Sequence, residues 1–331
     1  MSKSREIKFM SPPDGMPTEG CFEIVARYMP SPADGEVLVA THFLSIDPYM
    51  RRAMGGARKQ YQLTPGATMI GRGAGVVMES RHSGFREGDA VQSEFGWREH
   101  VVLKGDGLRK LAPDLQPLSL SVGIVGQSGA TAYVGLHDIA GLKEGDTVVV
   151  SAAAGAVGSA VGQIARIAGC RVIGIAGGPE KCRHAIDDLG FDDCIDYKAG
   201  PIDEALATAT TKGVDVYFDN VGGEILEAVL DRTNDGARVA ICGQISQYNA
   251  DAQAGLRNVH LLLDRSIKIQ GFRIGSHLER RDLALEQLLA WWRDGKLKYR
   301  ETVSHGFESA PSALINMLSG GNYGKQVVKV V

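Results

Sequence analysis

Cysteine is the first shortage that limits what this chain can be. The 331 residues include five, Cys21, Cys170, Cys182, Cys194 and Cys242. The number is odd, the spacing is wide and no Cys-x-x-Cys occurs, so neither a disulfide framework nor a zinc cluster is indicated. Reduced, mostly buried thiols are expected. Long apolar runs are also missing: none approaches the roughly 18 uncharged residues that span a bilayer, and the stretch from Met1 to Lys8 lacks a signal-peptide core. No basic block occurs and the formal net charge is −3, which argues against nucleic acid or an anionic membrane as partner. No tandem repeat or low-complexity segment is evident. The expectation is a cytoplasmic chain, 44% apolar, able to bury a sizeable core and to divide into two domains.

What is present is organised around Thr147 to Gly158, Thr-Val-Val-Val-Ser-Ala-Ala-Ala-Gly-Ala-Val-Gly. A β-branched run suited to a buried strand gives way to small residues that open a helix from about Val157. Gly155 and Gly158 fit the second and third glycines of a dinucleotide-binding fingerprint, and Ala153 stands where the first usually stands. Unsatisfied amides at the helix start offer a phosphate site without Lys or Arg. Before it, Glu36 to Ile46, Gly71 to Met78 and Ala90 to Gln92 read as short strands of a small barrel-like β domain. Between the first two, Asp47 to Arg52 reads as a turn into a short helix, with Tyr49 beside two arginines as a candidate pocket wall.

After the organising strand, strands and helices alternate: strands at Arg171 to Ala176, Cys194 to Tyr197, Val214 to Asp219, Ala237 to Cys242 and Ile267 to Ile274, with helices at Glu180 to Leu189 and Ile202 to Thr210. This is the pattern of a doubly wound parallel sheet, whose ligands lie at the carboxyl ends of the strands. Arg281 to Trp292 places Leu285, Leu288, Leu289 and Trp292 on one helical face as core, and Gly295 stops that helix. The tail from Thr302 ends in a strand, Gln-Val-Val-Lys-Val-Val, that returns to the β domain.

One further absence concerns the nucleotide. The fingerprint's acidic residue, which binds the ribose hydroxyls of NAD from the end of the second strand, is missing: the strand ends Ala176-Gly177-Gly178, with Lys181 and Arg183 just beyond. No carboxylate repels a 2′-phosphate there and an ammonium attracts one, with Tyr197 able to donate its hydroxyl. NADPH is expected over NADH.

The motifs Ala-Ala-Ala-Gly-Ala-Val-Gly at 152–158, Tyr-Phe-Asp-Asn-Val-Gly-Gly at 217–223, Ile-Cys-Gly at 241–243 with Ser-Gln-Tyr-Asn at 246–249, and Asn-Tyr-Gly-Lys at 322–325 resemble those of the zinc-free medium-chain dehydrogenase/reductases. Within them the chain is most similar to the prostaglandin reductase and leukotriene hydroxydehydrogenase type, with plant double-bond reductases and curcumin-reductase-like enzymes. The resemblance runs from Ser45-Ile46-Asp47-Pro48-Tyr49-Met50-Arg51 to the last residues. It implies an α/β protein in which a GroES-like β-barrel domain, residues 1–124 completed by 301–331, accompanies a Rossmann doubly wound parallel sheet domain over 125–300, as a homodimer. It also implies that NADPH is held by Gly155, Ala156, Val157, Gly158, Lys181, Tyr197, Asn220, Cys242, Gly243, Gln244, Ile245, Ser246, Tyr248, Phe272, Arg273, Ile274 and Asn322. Gly178, Gln127 and Thr131 join this set, from the strand end beside Lys181 and from the small-residue stretch at 126–133.

Gly71-Arg72-Gly73-Ala74-Gly75 contains neither the histidine nor the glutamate of the zinc-dependent branch, and the eight histidines are scattered, so no metal is expected. Without one, the expected chemistry is conjugate reduction of an α,β-unsaturated ketone or aldehyde, with hydride arriving at the β-carbon. A phenol keeps its proton at neutral pH, which makes Tyr248 the first candidate donor to the enolate oxygen and Tyr49 the second. Gln127-Ser128 replaces the usual Met-Pro and Arg273 follows Phe272 where an aliphatic residue is common, which points to polar or aromatic enones. A quinone reductase and a non-catalytic NADPH-binding sensor are the rival readings.

Overall fold

A computed structural model gives the protein's structure for residues 3–55, 63–250 and 255–331. In chain order the elements begin with β1 (Lys3–Phe9), β2 (Phe22–Tyr28), β3 (Glu36–Ser45), α1 (Tyr49–Ala53), β4 (Arg72–Ser80), β5 (Ala90–Glu94), β6 (His100–Lys104) and β7 (Arg109–Lys110). There follow α2 (Gln127–Val134), β8 (Thr147–Ser151), α3 (Ala156–Ile167), β9 (Arg171–Ala176), α4 (Pro179–Arg183), β10 (Asp193–Asp196), α5 (Ile202–Ala209), β11 (Val214–Asp219), α6 (Gly223–Leu230), β12 (Thr233–Ile241), α7 (His260–Asp264), β13 (Lys268–Gly271) and α8 (Leu278–Arg293). The last are β14 (Glu301–His305), α9 (Ala310–Leu318) and β15 (Lys325–Lys329). Two compact units result, one of Met1–Gly123 with Glu301–Val331 and one of Ile124–Arg300.

In the Ile124–Arg300 unit the sheet runs β10-β9-β8-β11-β12-β13, with every pair parallel. Counted from the first strand of the unit this is the order 3-2-1-4-5-6 of a doubly wound dinucleotide-binding fold, and it reverses between β8 and β11. The central strands are covered on both faces, which is why β8 reads as an unbroken apolar run: all five of its residues are buried. Val149, Ile173, Tyr217 and Val239 form the centre of the core.

The other unit carries a seven-stranded sheet, β14-β15-β3-β4-β5-β7 with β6 also on β3, antiparallel except for the β14 and β15 pair. β1 and β2 form a separate antiparallel pair. Ile7, Phe9, Leu44, Trp97, Leu314 and Val328 share one core.

Three local expectations change. The tail contains a helix, α9, whose Ala310, Ala313, Leu314 and Met317 recur at helical spacing and are buried. The buried stripe of α8 is Ala284, Leu285 and Leu288; Leu289 and Trp292 lie at its margin, half-exposed. The helix expected over Glu180 to Leu189 is α4 followed by a wider π-type turn at His184–Asp188.

Candidate functional site

Where the strand order reverses, an open α/β sheet leaves a crevice beyond the carboxyl ends of its strands. β8 enters it at Ser151 and the chain turns through Ala152, whose φ of 51° places a residue with a side chain in the left-handed region at a cost of about 1–2 kcal/mol. The Gly155 amide donates to the Ala152 carbonyl (2.8 Å) and the Ala153 amide to the Ile175 carbonyl (3.0 Å). α3 then starts at Ala156 with no side-chain cap. The amides of Ala156, Val157 and Gly158 therefore lack acceptors within the helix and, with its dipole, suit an anion. Gly158 permits the tight approach of helix to turn: a Cβ there would stand 2.2 Å from the Ala152 carbonyl oxygen and 2.9 Å from the Ala153 Cα. At Gly155 an added Cβ would meet only Ala152, its oxygen at 3.1 Å.

A buried carboxyl ties the neighbouring strand ends to this turn. Asp219 closes β11 with 0% exposure. Its Oδ1 accepts from Ser151 Oγ (3.0 Å), Tyr217 Oη (2.8 Å) and the amides of Val221 and Gly222 (both 2.9 Å). Its carbonyl accepts from the amides of Cys242 (2.8 Å) and Gly243 (3.1 Å) at the end of β12. Asn220 completes the tie, donating its amide to Ser151 Oγ (2.9 Å) and its side-chain Nδ2 to the Ser151 carbonyl (2.8 Å). Burial raises the Asp219 pKa against the opposing pull of these donors.

The loop after β12 closes on the same frame. The Ile245 amide donates to the Asn220 carbonyl (3.3 Å), Ser246 Oγ to the Val221 carbonyl (2.6 Å), and the Gln244 amide to Tyr248 Oη (3.3 Å). The Cys242 thiol is pushed up to about 12, chiefly by desolvation and secondly by Asp219. Beyond β13, Phe272 stands edge-on to Phe218 with centroids 6.1 Å apart, Arg273 is exposed and Ile274 is turned inward. In α2, Thr131 donates its hydroxyl to the Gln127 carbonyl (2.8 Å), and Gln127 is half-buried.

A second cluster occupies the ends of β9 and β10. Asp196 Oδ1 accepts from the amides of Gly178 (2.8 Å) and Lys198 (3.0 Å), and the Tyr197 amide donates to the Ala176 carbonyl (3.1 Å). This holds Gly177-Gly178 against Tyr197-Lys198. Half-buried Lys181 has its pKa lowered by desolvation and by the like charge of Lys198.

Two of the expected residues belong to the other unit. Tyr49, the first residue of α1, is 38% exposed; crowding and the carboxylates of Asp47 and Glu94 outweigh Arg72 and hold its phenol protonated. Asp47 is itself fixed by Lys325 Nζ (2.7 Å) and by Ser45. Asn322 donates to the Gly324 carbonyl (2.9 Å).

Sequence reasoning passed over Ser151, Asp219 and Lys198. Asp219 sat inside the Tyr-Phe-Asp-Asn-Val-Gly-Gly motif, where an acid ending an apolar strand was the available signal. Lys198 follows Tyr197 directly, a second lysine at a strand end that lacks the usual acid. Among the described residues no three His, Cys, Asp or Glu side chains come together to hold a metal ion, and no helix is long and apolar enough to cross a membrane.

Residues 5–111 match the family profile described as the N-terminal domain of oxidoreductase, and residues 156–290 the profile described as zinc-binding dehydrogenase. The chain is 41% identical to the NADPH-dependent curcumin reductase of Escherichia coli (strain K12), covering 99% of this chain and 97% of that one. It is 44% identical to prostaglandin reductase 1 of Rattus norvegicus, with 96% of each covered. The crystal structure of CurA from Vibrio vulnificus in complex with NADPH matches with a TM-score of 0.93 at 42% identity, over 99% of both chains. A tight turn into an uncapped helix at the strand reversal, paired with relatives that match nearly end to end, leads to one conclusion: the chain belongs to the medium-chain dehydrogenase/reductases, in the branch that holds the curcumin and prostaglandin reductases.

Proposed function

We propose that the protein is an NADPH-dependent reductase of the carbon–carbon double bond in α,β-unsaturated ketones and aldehydes. The observation that carries this is the uncapped start of α3 packed against the Ala152 turn, a cradle in which a side chain at residue 158 would fill the space the backbone needs. Relatives named for NADPH-dependent reduction of curcumin and for prostaglandin reduction support the reaction class.

In this reading residues 125–300 bind the dinucleotide and residues 1–124 with 301–331 serve the substrate. The amides of residues 156–158 hold the pyrophosphate, and Lys181 and Tyr197 receive the 2′-phosphate. Asn220, the loop from Cys242 to Tyr248, Phe272 to Ile274 and Asn322 line the remainder of the cofactor, with Gln127, Thr131 and Gly178. When bound, NADPH supplies a hydride for the β-carbon of the substrate. Tyr248 keeps a proton available to the substrate oxygen, where negative charge develops, and Tyr49 is the alternative donor. Such a donor acts most strongly where water is excluded. By resemblance to the family the protein is a homodimer; light scattering during size-exclusion chromatography tests the assembly.

Loss of NADPH absorbance followed across enones, enals and benzoquinones, and repeated with NADH, tests the activity. Enone and enal turnover with NADPH is expected. Turnover of quinones alone would make the protein a quinone reductase, and tight NADPH binding without turnover would make it a sensor.

A further inference from the structure

Two lysines follow the ends of β9 and β10, Lys181 in α4 and Lys198 just beyond β10, near enough for their charges to interact. Lys198 folds back so that its Cε would lie 3.0 Å from a Cβ placed on Gly177, alongside the Tyr197 ring at 2.9 Å and the Tyr197 hydroxyl at 3.0 Å. Its Nζ sits 5.9 Å from the centroid of the Tyr197 ring. Lys181 senses the Lys198 charge from the start of α4. The carboxylate of Asp196 is turned to the backbone amides of Gly178 and Lys198, where it fixes the two turns.

We infer that Lys198 is a second phosphate-binding cation, which with Lys181, Tyr197 and the bare backbone of Gly177 makes this pocket selective for the 2′-phosphate over a free ribose hydroxyl. The inference rests on the NADPH reading and extends it to a residue with no assigned role. A phosphate monoester carries about −1.5 to −2 charges at pH 7, so a single ammonium neutralises it only in part. Bringing two ammoniums together is unfavourable in the empty pocket and becomes favourable when a dianion sits between them, whereas a neutral hydroxyl returns nothing for the repulsion. Gly177 is required on the same argument, because a side chain there would occupy the space now shared by the Tyr197 ring and the Lys198 stem.

The test is isothermal titration calorimetry of NADP and NAD against the wild-type chain and the variants Lys198→Met, Lys181→Met and Gly177→Ala. Methionine preserves most of the stem of an exposed side chain, so folding is retained, and thermal denaturation checks this. The expected result is that Lys198→Met weakens NADP about tenfold and leaves NAD unchanged, the loss shrinking as salt is raised. Gly177→Ala is expected to weaken NADP likewise. Equal effects on the two nucleotides, or none on either, would overturn the role of Lys198. A wild type without preference for NADP would remove the NADPH reading and this inference with it. A wild-type preference that Lys181→Met abolishes and Lys198→Met leaves intact would refute only the role of Lys198.

Discussion

Replacing Gly158 with alanine puts the cradle to a quantitative test. The added Cβ would stand 2.2 Å from the Ala152 carbonyl oxygen, 2.8 Å from the Ala152 carbonyl carbon and 2.9 Å from the Ala153 Cα. The nearest of these is more than an ångström inside ordinary contact, and all three obstructing atoms are main chain, so no rotamer change relieves them. Overpacking of this kind costs about 1–3 kcal/mol, and the rigidity of the obstruction places the cost near the upper end. Alanine is favoured over glycine within a helix by about 1 kcal/mol, which leaves a net loss of about 2 kcal/mol. For a unit of this size that is a fall of about 4–8 °C in Tm, read by calorimetry without cofactor. Displacement of α3 from the turn also moves the amides of residues 156–158, so NADPH affinity, read by quenching of protein fluorescence, falls as well. Gly155→Ala is the control: its Cβ would meet only Ala152, with the closest atom at 3.1 Å, so Tm is expected to stay within about 2 °C while affinity drops. Unchanged Tm and affinity in Gly158→Ala would refute the close-approach argument.

The Asp219 tie gives a second expectation. Asp219→Ala leaves two hydroxyls and the amides of Val221 and Gly222 without their acceptor, each orphaned group costing about 1–3 kcal/mol. Thermal denaturation should show a loss of several kcal/mol, with Asp219→Asn, which keeps one oxygen acceptor, falling between. Tyr248→Phe should lower kcat for enone reduction by about 10²–10³-fold, and full activity would reject Tyr248 as the donor. In the other unit, burial pushes the pKa of Glu6 up, but the Lys8 ammonium (3.0 Å) and the Thr68 hydroxyl (2.9 Å) outweigh it and hold the carboxyl below its ordinary 4.5. The stability Glu6 contributes is therefore complete above about pH 4.5 and lost as pH falls through the depressed folded value. Glu6→Gln should flatten the acid limb of a Tm against pH curve.

The parts of the molecule legible in the sequence were those whose signal is local. β8 announced itself because a strand covered on both faces must be apolar throughout, and the small residues after it because a turn packed against a helix start excludes side chains. Lys198 and Asp219 were not legible, since their significance depends on register: Asp196 lies opposite Ala176, and only that alignment brings Lys198 over Gly177. Residue 219 looks like a strand-end turn former until β8 and β11 are placed side by side. One of the two non-glycine positions with positive φ among the described residues fell on Ala152, which no propensity argument marks. α9 escaped notice because its apolar spacing lies in a tail read only for its final strand, and Leu289 and Trp292 because periodicity identifies a face without saying how far the neighbouring layer extends.

The pairing of β15 with β3, which sets Val328 opposite Leu44, has a consequence for biosynthesis. The parallel sheet is encoded in one uninterrupted piece, Ile124–Arg300, whereas the unit begun before it waits for the later residues 301–331 to cover the edge of β3. Until they leave the ribosome, the main-chain groups around Phe43 to Ser45 lack a neighbour on that side, a state open to chaperone capture or to mispairing with another nascent chain. Order of completion is thus the reverse of order of translation: the inserted parallel sheet can finish first, and the strands made before it acquire β15 only afterwards.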